Sequence, residues 1–288
     1  MVKYRNLNSV MESGDHFKNG ASSKSQMSRG DIKFLLLLYA LLAWCLLLNG
    51  CDKKEDDETN NNDKGDWVLI NGTKWATRNL DTHGHFVAKP EDLGGLFQWG
   101  RKGDGHERRT SPSYPTNNSS VEEGIVSVPY LDANGQVVNT HAAYGKFIKN
   151  DYITSFYDWC SPQNNALWNT GSEVSPVKSA NDPCPSGWRV PTPAEFEKLV
   201  NSGSIWTSQD GVYGRRFGSD SNSIFLPATG IRGGNGVINA VTFTIAAYWS
   251  SSASSYQAAA LTFGDDFVSR VIGGNPRVFG SSIRCVAE

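Results

Sequence analysis

The sequence has few charged residues and no excess of either sign. Charged residues make up 19% of its 288 positions, and 27 Lys/Arg stand against 29 Asp/Glu, for a formal net charge of −2. A protein that binds duplex nucleic acid needs clustered Lys and Arg to displace counterions, so the composition argues against that partner. The chain also has no repeat of fixed period and few runs at helical spacing, which excludes solenoid and coiled-coil architectures.

The sequence also lacks the motifs of several large enzyme classes. It has no His-Glu-x-x-His pair for zinc, no Gly-x-Ser-x-Gly turn for a nucleophilic serine and no Gly-rich loop ending in Lys-Ser/Thr for phosphate. Gly233-Gly234-Asn235-Gly236 is not followed by Lys-Ser/Thr, so it predicts a hairpin turn and no phosphate loop. We therefore predict a protein without enzymatic activity.

One long apolar run lies near the N-terminus, at residues 34–48. At 15 residues it is short for a bilayer span, which needs about 20, but it suits the apolar core of a secretory signal. It is followed by Asn49-Gly50-Cys51, and with Leu48 this ending resembles a bacterial lipobox. The resemblance implies that Cys51 carries the lipid, although Asn49 is not the small residue usual at its place. An uncleaved membrane anchor is the alternative.

The start of the chain and the tract after Cys51 bear on export. A signal of ordinary length begins at Met27, so we predict that translation starts there and that residues 1–50 comprise a spurious leader and a signal peptide. Residues 51–66 contain seven acidic and three basic residues and nothing to bury, which predicts a solvated tether. Without residues 1–50, 21 basic residues face 26 acidic ones, a net charge of −5.

The acidic cluster behind Cys51 resembles the export signal that sends lipoproteins of the Bacteroidetes to the outer face of the outer membrane. The resemblance implies an outer-membrane protein that is anchored by its lipid and faces the cell exterior. A plain soluble spacer is the alternative. The mature chain is mildly acidic, so it is not attracted to anionic lipid. Its acyl chains alone would hold it on the membrane.

Residues 67–288 read as one domain rich in short strands. Asn71-Gly72 joins two β-prone runs and predicts a tight hairpin, and further hairpins are expected at Asn134-Gly135 and at 234–236. Later strands are expected at 224–226, 237–243, 248–249, 259–263, 267–272 and 283–286.

One helix has clear start and stop signals. Thr192 is placed to cap it, with Pro193 in the first turn and Glu195 where its side chain can return a bond to the cap, and Gly203 marks the end. A weaker helix is expected at 142–152, where aromatic and aliphatic residues recur at helical spacing around Gly145.

Six motifs in order resemble the Fibrobacter succinogenes major paralogous domain, a family of secreted and lipid-anchored proteins. They occupy residues 71–80, 96–102, 182–192, 226–230, 248–252 and 282–286. The segment 189–197 also resembles the helix start of formylglycine-generating enzymes, whose fold is related to C-type lectins. The resemblance implies an α+β, C-type lectin-like or formylglycine-generating-enzyme-like domain with antiparallel strands, few helices and long loops.

The resemblance to the lectin-like fold pairs Cys184 with Cys285 and leaves Cys160 unpaired, while spacing alone leaves a Cys160–Cys184 bridge open. Formylglycine generation needs two closely spaced cysteines that hold copper. No cysteine lies between Cys184 and Cys285, so that activity is not expected.

Metal sites and cofactors have weak sequence signals. His83 and His85 with Asp81 or Asp92 have the residue types of a metal site, but exposed loop histidines are the simpler interpretation. Asp265-Asp266 has oxygen ligands that suit calcium, yet a solvated turn is favoured because the lectin-type Glu-Pro-Asn or Gln-Pro-Asp triplet is absent. We predict no cofactor, with calcium as the alternative.

Most aromatic residues lie next to predicted strands and should fill the core. Four lie in loop-like segments and are the candidates for ligand contact: Trp159, Trp168, Trp206 and Tyr256. The sequence as a whole predicts a non-enzymatic surface lipoprotein that binds a glycan or protein ligand. The alternatives are an accessory or tip component of a fimbria-like assembly, and an enzyme without a recognisable motif.

Overall fold

A computed structural model describes residues 66–116, 124–150, 158–239, 244–255, 257–269 and 273–288 of the chain. The described residues belong to one compact unit, Asn60–Glu288. The signal segment, Cys51 and nearly all of the tether lie outside them, so the predictions for these parts stay predictions.

The described residues form twenty short strands and one helix, α1. The strands are β1 Trp67–Ile70, β2 Thr73–Ala76, β3 Leu80–Thr82, β4 His85–Phe86, β5 Phe97–Gln98, β6 Ser113–Tyr114, β7 Val126–Ser127, β8 Phe147–Ile148, β9 Cys160–Ser161, β10 Trp188–Arg189, β11 Ser204–Gln209, β12 Val212–Ser219, β13 Asn222–Pro227, β14 Ile231–Arg232, β15 Ile238–Asn239, β16 Ile245–Ser254, β17 Gln257–Gly264, β18 Gly273–Pro276, β19 Gly280–Ser281 and β20 Val286–Ala287. The helix α1 spans Pro193–Asn201.

The strands assemble into small sheets that are mostly antiparallel. The larger ones have the orders β1-β2-β20-β10, β11-β12-β13, β15-β14-β19-β5 and β16-β17-β18. Trp75 of β2 pairs with Val286 of β20, so the first and last strands of the described unit share one sheet. The prediction of an antiparallel, sheet-rich fold with few helices is confirmed.

Helix α1 forms where the sequence predicts it. The Thr192 hydroxyl accepts the backbone N–H of Glu195, and the Glu195 carboxylate accepts the backbone N–H of Thr192 at 2.8 Å, which completes the capping box. Arg189 adds two contacts to the same carboxylate, at 2.6 and 2.8 Å. The helix ends before Gly203, whose φ of +82° is one that glycine adopts readily. No helix in the described ranges has the length and apolarity to cross a membrane.

The predicted hairpins form, and the structure contains one further, longer hairpin. Asn71 and Gly72 take positive φ angles between β1 and β2, and β14 pairs with β15 around residues 233–237. The turn at Asn134-Gly135 closes a single bridge, Leu131 to Val137. The hairpin of β11 and β12, which turns at Asp210-Gly211, is not among the predicted ones, although Asp-Gly between alternating residues is a strong hairpin signal.

Two expected elements are wrong as placed. Residues 142–150 contain turns and β8 in place of a helix, with Gly145 at a φ of +70° that breaks helical geometry; residues 151 and 152 lie outside the described part. Of the strand expected at 267–272, the described residues 267–269 contain only one bridge, from Val268 to Phe263; residues 270–272 lie outside the described part, and β18 begins at Gly273. Residues 240–243 of another expected strand are likewise undescribed, and β15 covers Ile238–Asn239.

Two apolar clusters and one disulfide hold these sheets together. The first cluster contains four buried tryptophans, and the second surrounds Trp75 and Phe196 of α1. Cys184 is joined to Cys285 across a separation of 101 residues, the pairing that the resemblance implies. Cys160 is free and buried, and burial raises the pKa of its thiol well above the usual value.

Candidate functional site

Two aromatic residues predicted for ligand contact are buried. Trp159 and Trp168 are 0% exposed, and each donates its indole N–H to a backbone carbonyl: Trp159 to Trp99 at 2.7 Å and Trp168 to Arg101 at 3.2 Å. Their loop segments fold inward because burial of a large ring, with its N–H paired, is favourable. The prediction of ligand contact for these two is therefore wrong, and both instead fix the backbone at the end of β5.

The other two aromatic candidates have different outcomes. Trp206 of β11 is partly buried and stacks on Tyr213 of β12, with 6.2 Å between ring centroids. Trp206 lies on a sheet and lines neither of the clefts discussed below. Tyr256 lies outside the described residues.

The histidine and aspartate pairs considered for metals do not form a ligand set. His83 and His85 lie around the turn of the β3–β4 hairpin, and neither belongs with Asp81 or Asp92 to a group of close donors. Asp265 and Asp266 are exposed in a bend. The group of three donors in the described ranges is a different one, Asp104, His106 and Glu107, whose ligand atoms lie within 4.8 Å of one another.

A small cleft lies where four loops meet, and we call it the loop cleft. Its volume is about 240 Å³. Polar side chains from all four loops surround it together with one exposed aromatic ring. The lining residues are Lys102, Gly103, Asp104, Asp132, Asn134, Gln136, Val137, Tyr144, Ala180 and Asn181.

Local hydrogen bonds shape the turn at 132–136 on one wall of the loop cleft. Asp132 Oδ1 accepts the backbone N–H groups of Asn134 at 2.8 Å and Gln136 at 2.9 Å, as short polar side chains commonly do in turns. Gln136 ties this turn to the next loop, because its amide donates to the Gly100 carbonyl and accepts the Lys102 N–H. Asn181 donates to the Asn134 carbonyl at 2.7 Å.

Three polar groups of the loop cleft have no hydrogen-bond partner among the described residues. They are the Lys102 ammonium, the Tyr144 hydroxyl and Asp132 Oδ2. Lys102 and Asp132 are exposed, and Tyr144 is 43% exposed. The cleft therefore offers a cationic donor, an anionic acceptor, a hydroxyl and a ring face.

Asp104 forms the inner wall of the loop cleft and is charged at neutral pH. Burial raises its pKa, but Arg101 Nη2 at 2.6 Å and His106 Nδ1 at 2.7 Å outweigh that effect and hold the pKa well below the usual range. For His106, burial first and the Arg101 charge second lower the pKa, so its ring is neutral. Asp104 is thus a fixed carboxylate held by two donors.

His106 and the carboxylates of Asp104 and Glu107, which could bind a metal ion, are already engaged in hydrogen bonds within the protein. His106 Nε2 accepts the backbone N–H of Gln98 at 3.1 Å, so its proton resides on Nδ1, which faces Asp104. Glu107 Oε2 accepts the backbone N–H of Gly105 at 2.9 Å. To bind a metal ion, His106 would need a free nitrogen lone pair, and it has none here because Nε2 already accepts the Gln98 N–H; Arg101 already supplies the positive charge beside Asp104. The group does not fit a metal.

A second cleft, of about 550 Å³, is larger but carries mixed charges and no aromatic ring. Its lining includes two acidic residues, Asp81 and Asp92, and two basic ones, Arg108 and Arg109. Asp92 is held by the backbone N–H of Lys89 at 2.9 Å. The loop cleft combines a ring with unpaired polar groups, so we take it as the candidate binding site.

The residues of the loop cleft are not among the predicted site residues. Tyr144 lies within the helix expected at 142–152, which does not form, and Asp132 lies next to the hairpin predicted at Asn134-Gly135. The pattern Asp132-x-Asn134-Gly135 was a usable signal, since it predicts an aspartate that folds back onto its own turn. No local sequence pattern predicts that these four loops lie next to one another.

Comparisons of the chain with protein-family models, with curated proteins and with solved structures found no match.

Proposed function

We propose that the protein is a non-enzymatic, lipid-anchored binding module of the cell surface that recognises a glycan through the loop cleft. The observation that carries the proposal is the exposed Tyr144 ring beside the unpaired groups of Lys102 and Asp132. Sugar rings carry many hydroxyls and apolar faces, so a site for them needs donors, acceptors and an aromatic surface together.

The size and charge of the loop cleft support a small neutral ligand. A volume of about 240 Å³ lies below the roughly 300–1,000 Å³ of sites for drug-sized molecules. Asp132 offsets Lys102, and Arg101 already balances Asp104, so the cleft has no strong cationic field for a phosphate or sulfate. A terminal sugar unit matches this combination.

The lectin-like assignment of the domain is part of the proposal. Three features that the resemblance implies are compatible with it: strands near both ends of the domain, a capped helix after Arg189 and a bridge between Cys184 and Cys285. The same sheet-rich architecture supports other functions in other proteins, so the site carries the functional argument.

The placement on the outer membrane, facing outward, rests on the sequence. The lipobox-like segment before Cys51 and the acidic residues behind it support this placement. Glycan or protein ligands of the surroundings would then be within reach of the domain.

One feature favours the alternative role in a fimbria-like assembly. Among the described strands, none pairs with the outer edge of β11 in the β11-β12-β13 sheet, and free edges accept additional strands. A donor strand from another protein of the same cell would use this edge and leave the loop cleft empty.

A glycan and protein array probed with the detergent-solubilised full chain tests the proposal. We expect glycan binding that Tyr144→Ala or Asp132→Asn weakens about tenfold or more, the effect of one lost contact of about 1.4 kcal/mol. Tyr213→Ala, which removes an exposed ring elsewhere, is the matched control and should bind normally. Silence on the glycans, or equal loss in the control, would overturn the proposal.

A further inference from the structure

The outer edge of β11 has backbone groups that β12 does not use. β11 and β12 are joined by a two-residue turn at Asp210-Gly211, and Gln209 faces Val212 across it. In such a hairpin the residues flanking the turn bond to each other, and the bonded positions then alternate along the strand. Ile205, Thr207 and Gln209 therefore bond to β12.

A bond at the far end of the hairpin gives the same alternation. The backbone N–H of Gly218 donates to the Gly203 carbonyl at 3.0 Å, which continues the odd-numbered series of β11. The N–H and C=O groups of Ser204, Trp206 and Ser208 consequently point away from β12. No hydrogen bond among the described residues engages these outward backbone groups.

Three other edge strands in the described part, β13, β18 and β1, are covered, interrupted or short. On β13, at the opposite side of the same sheet, Arg284 Nη2 donates to the Phe225 carbonyl at 3.0 Å and the Tyr248 hydroxyl donates to the Pro227 carbonyl at 2.9 Å. Strand β18 has the sequence Gly-Gly-Asn-Pro, and β1 has four residues. Proline, glycine and short length are common means of protecting an edge.

Strand β11 has none of these protections. Its sequence Ser-Ile-Trp-Thr-Ser-Gln contains no charge, proline or glycine, and its register with β12 runs over six pairs without a bulge. On one face Ile205 is 62% exposed, and on the other Trp206 stacks on Tyr213, which is 54% exposed. Apolar side chains thus flank the free backbone groups on both faces of the sheet.

We infer that β11 pairs antiparallel with β11 of a second copy of this chain, about a two-fold axis at Trp206. The pairing places Trp206 opposite Trp206 of the other copy and Ser204 opposite Ser208 of the other copy. Each facing pair exchanges two backbone hydrogen bonds, about six in all. The two three-stranded sheets become one continuous sheet of six strands.

A second copy fits this edge better than a foreign charged peptide does. The outward positions of β11 read Ser, Trp, Ser, which is the same in both directions, so a reversed copy meets matching residues. A neutral strand also faces its own copy without like-charge repulsion, whereas it offers no charge by which to select a basic or acidic peptide. The interface is isologous, as most homodimer interfaces are.

The mass of the detergent-solubilised full chain, measured by analytical ultracentrifugation over a range of concentrations, tests the inference. Wild type should form a concentration-dependent dimer. Ser208→Pro removes an outward N–H that the hairpin does not use, and it should raise the dimer Kd at least about tenfold. Ser208→Thr keeps the N–H and is the matched control, expected to dimerise like wild type. Equal masses for wild type and Ser208→Pro would overturn the inference.

Hydrogen exchange on wild type gives a second test that needs no folded variant. Raising the protein concentration should slow exchange at the amides of Ser204, Trp206 and Ser208 and leave Thr207, which already bonds to β12, unchanged. Protection that is independent of concentration would overturn the inference. Protection that requires an added strand from another protein would also overturn it, in favour of the assembly role.

Discussion

The carboxylate of Asp182 accepts the backbone N–H of Val190 through Oδ2 at 2.8 Å. Its other oxygen accepts the N–H of Cys184 at 2.9 Å, so one buried side chain connects the disulfide loop to the segment that leads into α1. Burial raises the pKa of Asp182 to about 7 despite these two bonds. A buried carboxylate without a close cationic partner prefers its protonated form.

Because of this raised pKa, we expect the free energy of unfolding to decrease as the pH rises. The folded state binds the Asp182 proton more tightly than the unfolded chain, whose pKa is near 3.8. The stabilisation is therefore complete below about pH 4 and lost as the pH rises through 7. Asp158, whose pKa burial raises to about 6, acts in the same direction. Urea unfolding between pH 4 and 8 should show this fall, and Asp182→Asn should make it shallower.

Asp104→Asn is the control for the pH profile. Because the Asp104 pKa lies below its usual range, this carboxylate contributes stability that is lost only as the pH falls below about 4. The variant should be less stable than wild type over the whole range. Its free energy of unfolding should nevertheless decrease with the same slope as that of wild type between pH 4 and 7. Parallel curves for wild type and Asp182→Asn would contradict the prediction.

The Cys184–Cys285 disulfide should be the strongest single constraint on the described unit. It closes a loop of 101 residues, for which the chain-entropy model gives about 4 to 5 kcal/mol. We expect the double variant Cys184→Ala/Cys285→Ala to lose up to this much free energy of unfolding in urea titrations. Cys160→Ala, at the free buried thiol, should lose far less, and a reducing agent should destabilise wild type but not the double variant.

Trp168→Phe should destabilise the protein even though an aromatic ring remains. The substitution removes the indole N–H that reaches the buried carbonyl of Arg101, and an unsatisfied buried acceptor costs about 1–3 kcal/mol. Trp206→Phe removes an N–H with no protein partner among the described residues and should cost under about 0.5 kcal/mol. Thermal unfolding of both variants checks the difference; similar losses would argue against the role given to Trp168.

The capping box of α1 is open to direct measurement. Thr192→Ala removes the hydroxyl that accepts the Glu195 N–H and should lower the free energy of unfolding by about 1 kcal/mol. Glu197, exposed on the same helix, gives the matched control Glu197→Ala, for which little change is expected. A Thr192 variant as stable as the control would show that tertiary packing alone fixes the start of the helix.

Added zinc or calcium should leave the melting temperature unchanged. A metal that binds the folded state raises it by mass action, but His106 has both ring nitrogens engaged, by Gln98 and Asp104. Differential scanning fluorimetry with and without chelator measures this. A metal-dependent rise that His106→Gln abolishes would contradict our interpretation of the Asp104, His106 and Glu107 group.

The elements that the sequence predicts correctly are those with local causes. The cap at Thr192 and the turn at Asn71-Gly72 depend on residues within four positions of one another, so a window of the chain contains the whole signal. The helix expected at 142–152 does not form, because there the local pattern does not determine the structure. Its aromatic spacing is local, but Phe147 and Ile148 form β8, which pairs with β6, and Gly145 adopts a positive φ.

The sequence by itself determined the strand-rich composition, the capped helix, the hairpin turns and, through its lipobox-like ending, the expectation of a lipid at Cys51. The tertiary structure alone decided which tryptophans are buried, because Trp159 and Trp168 bond to carbonyls some 60 residues away. It also brought Lys102, Asp132 and Tyr144 to one cleft and left the outer edge of β11 without a paired strand among the described residues. Such placements depend on contacts between distant segments, which no local pattern of residues encodes.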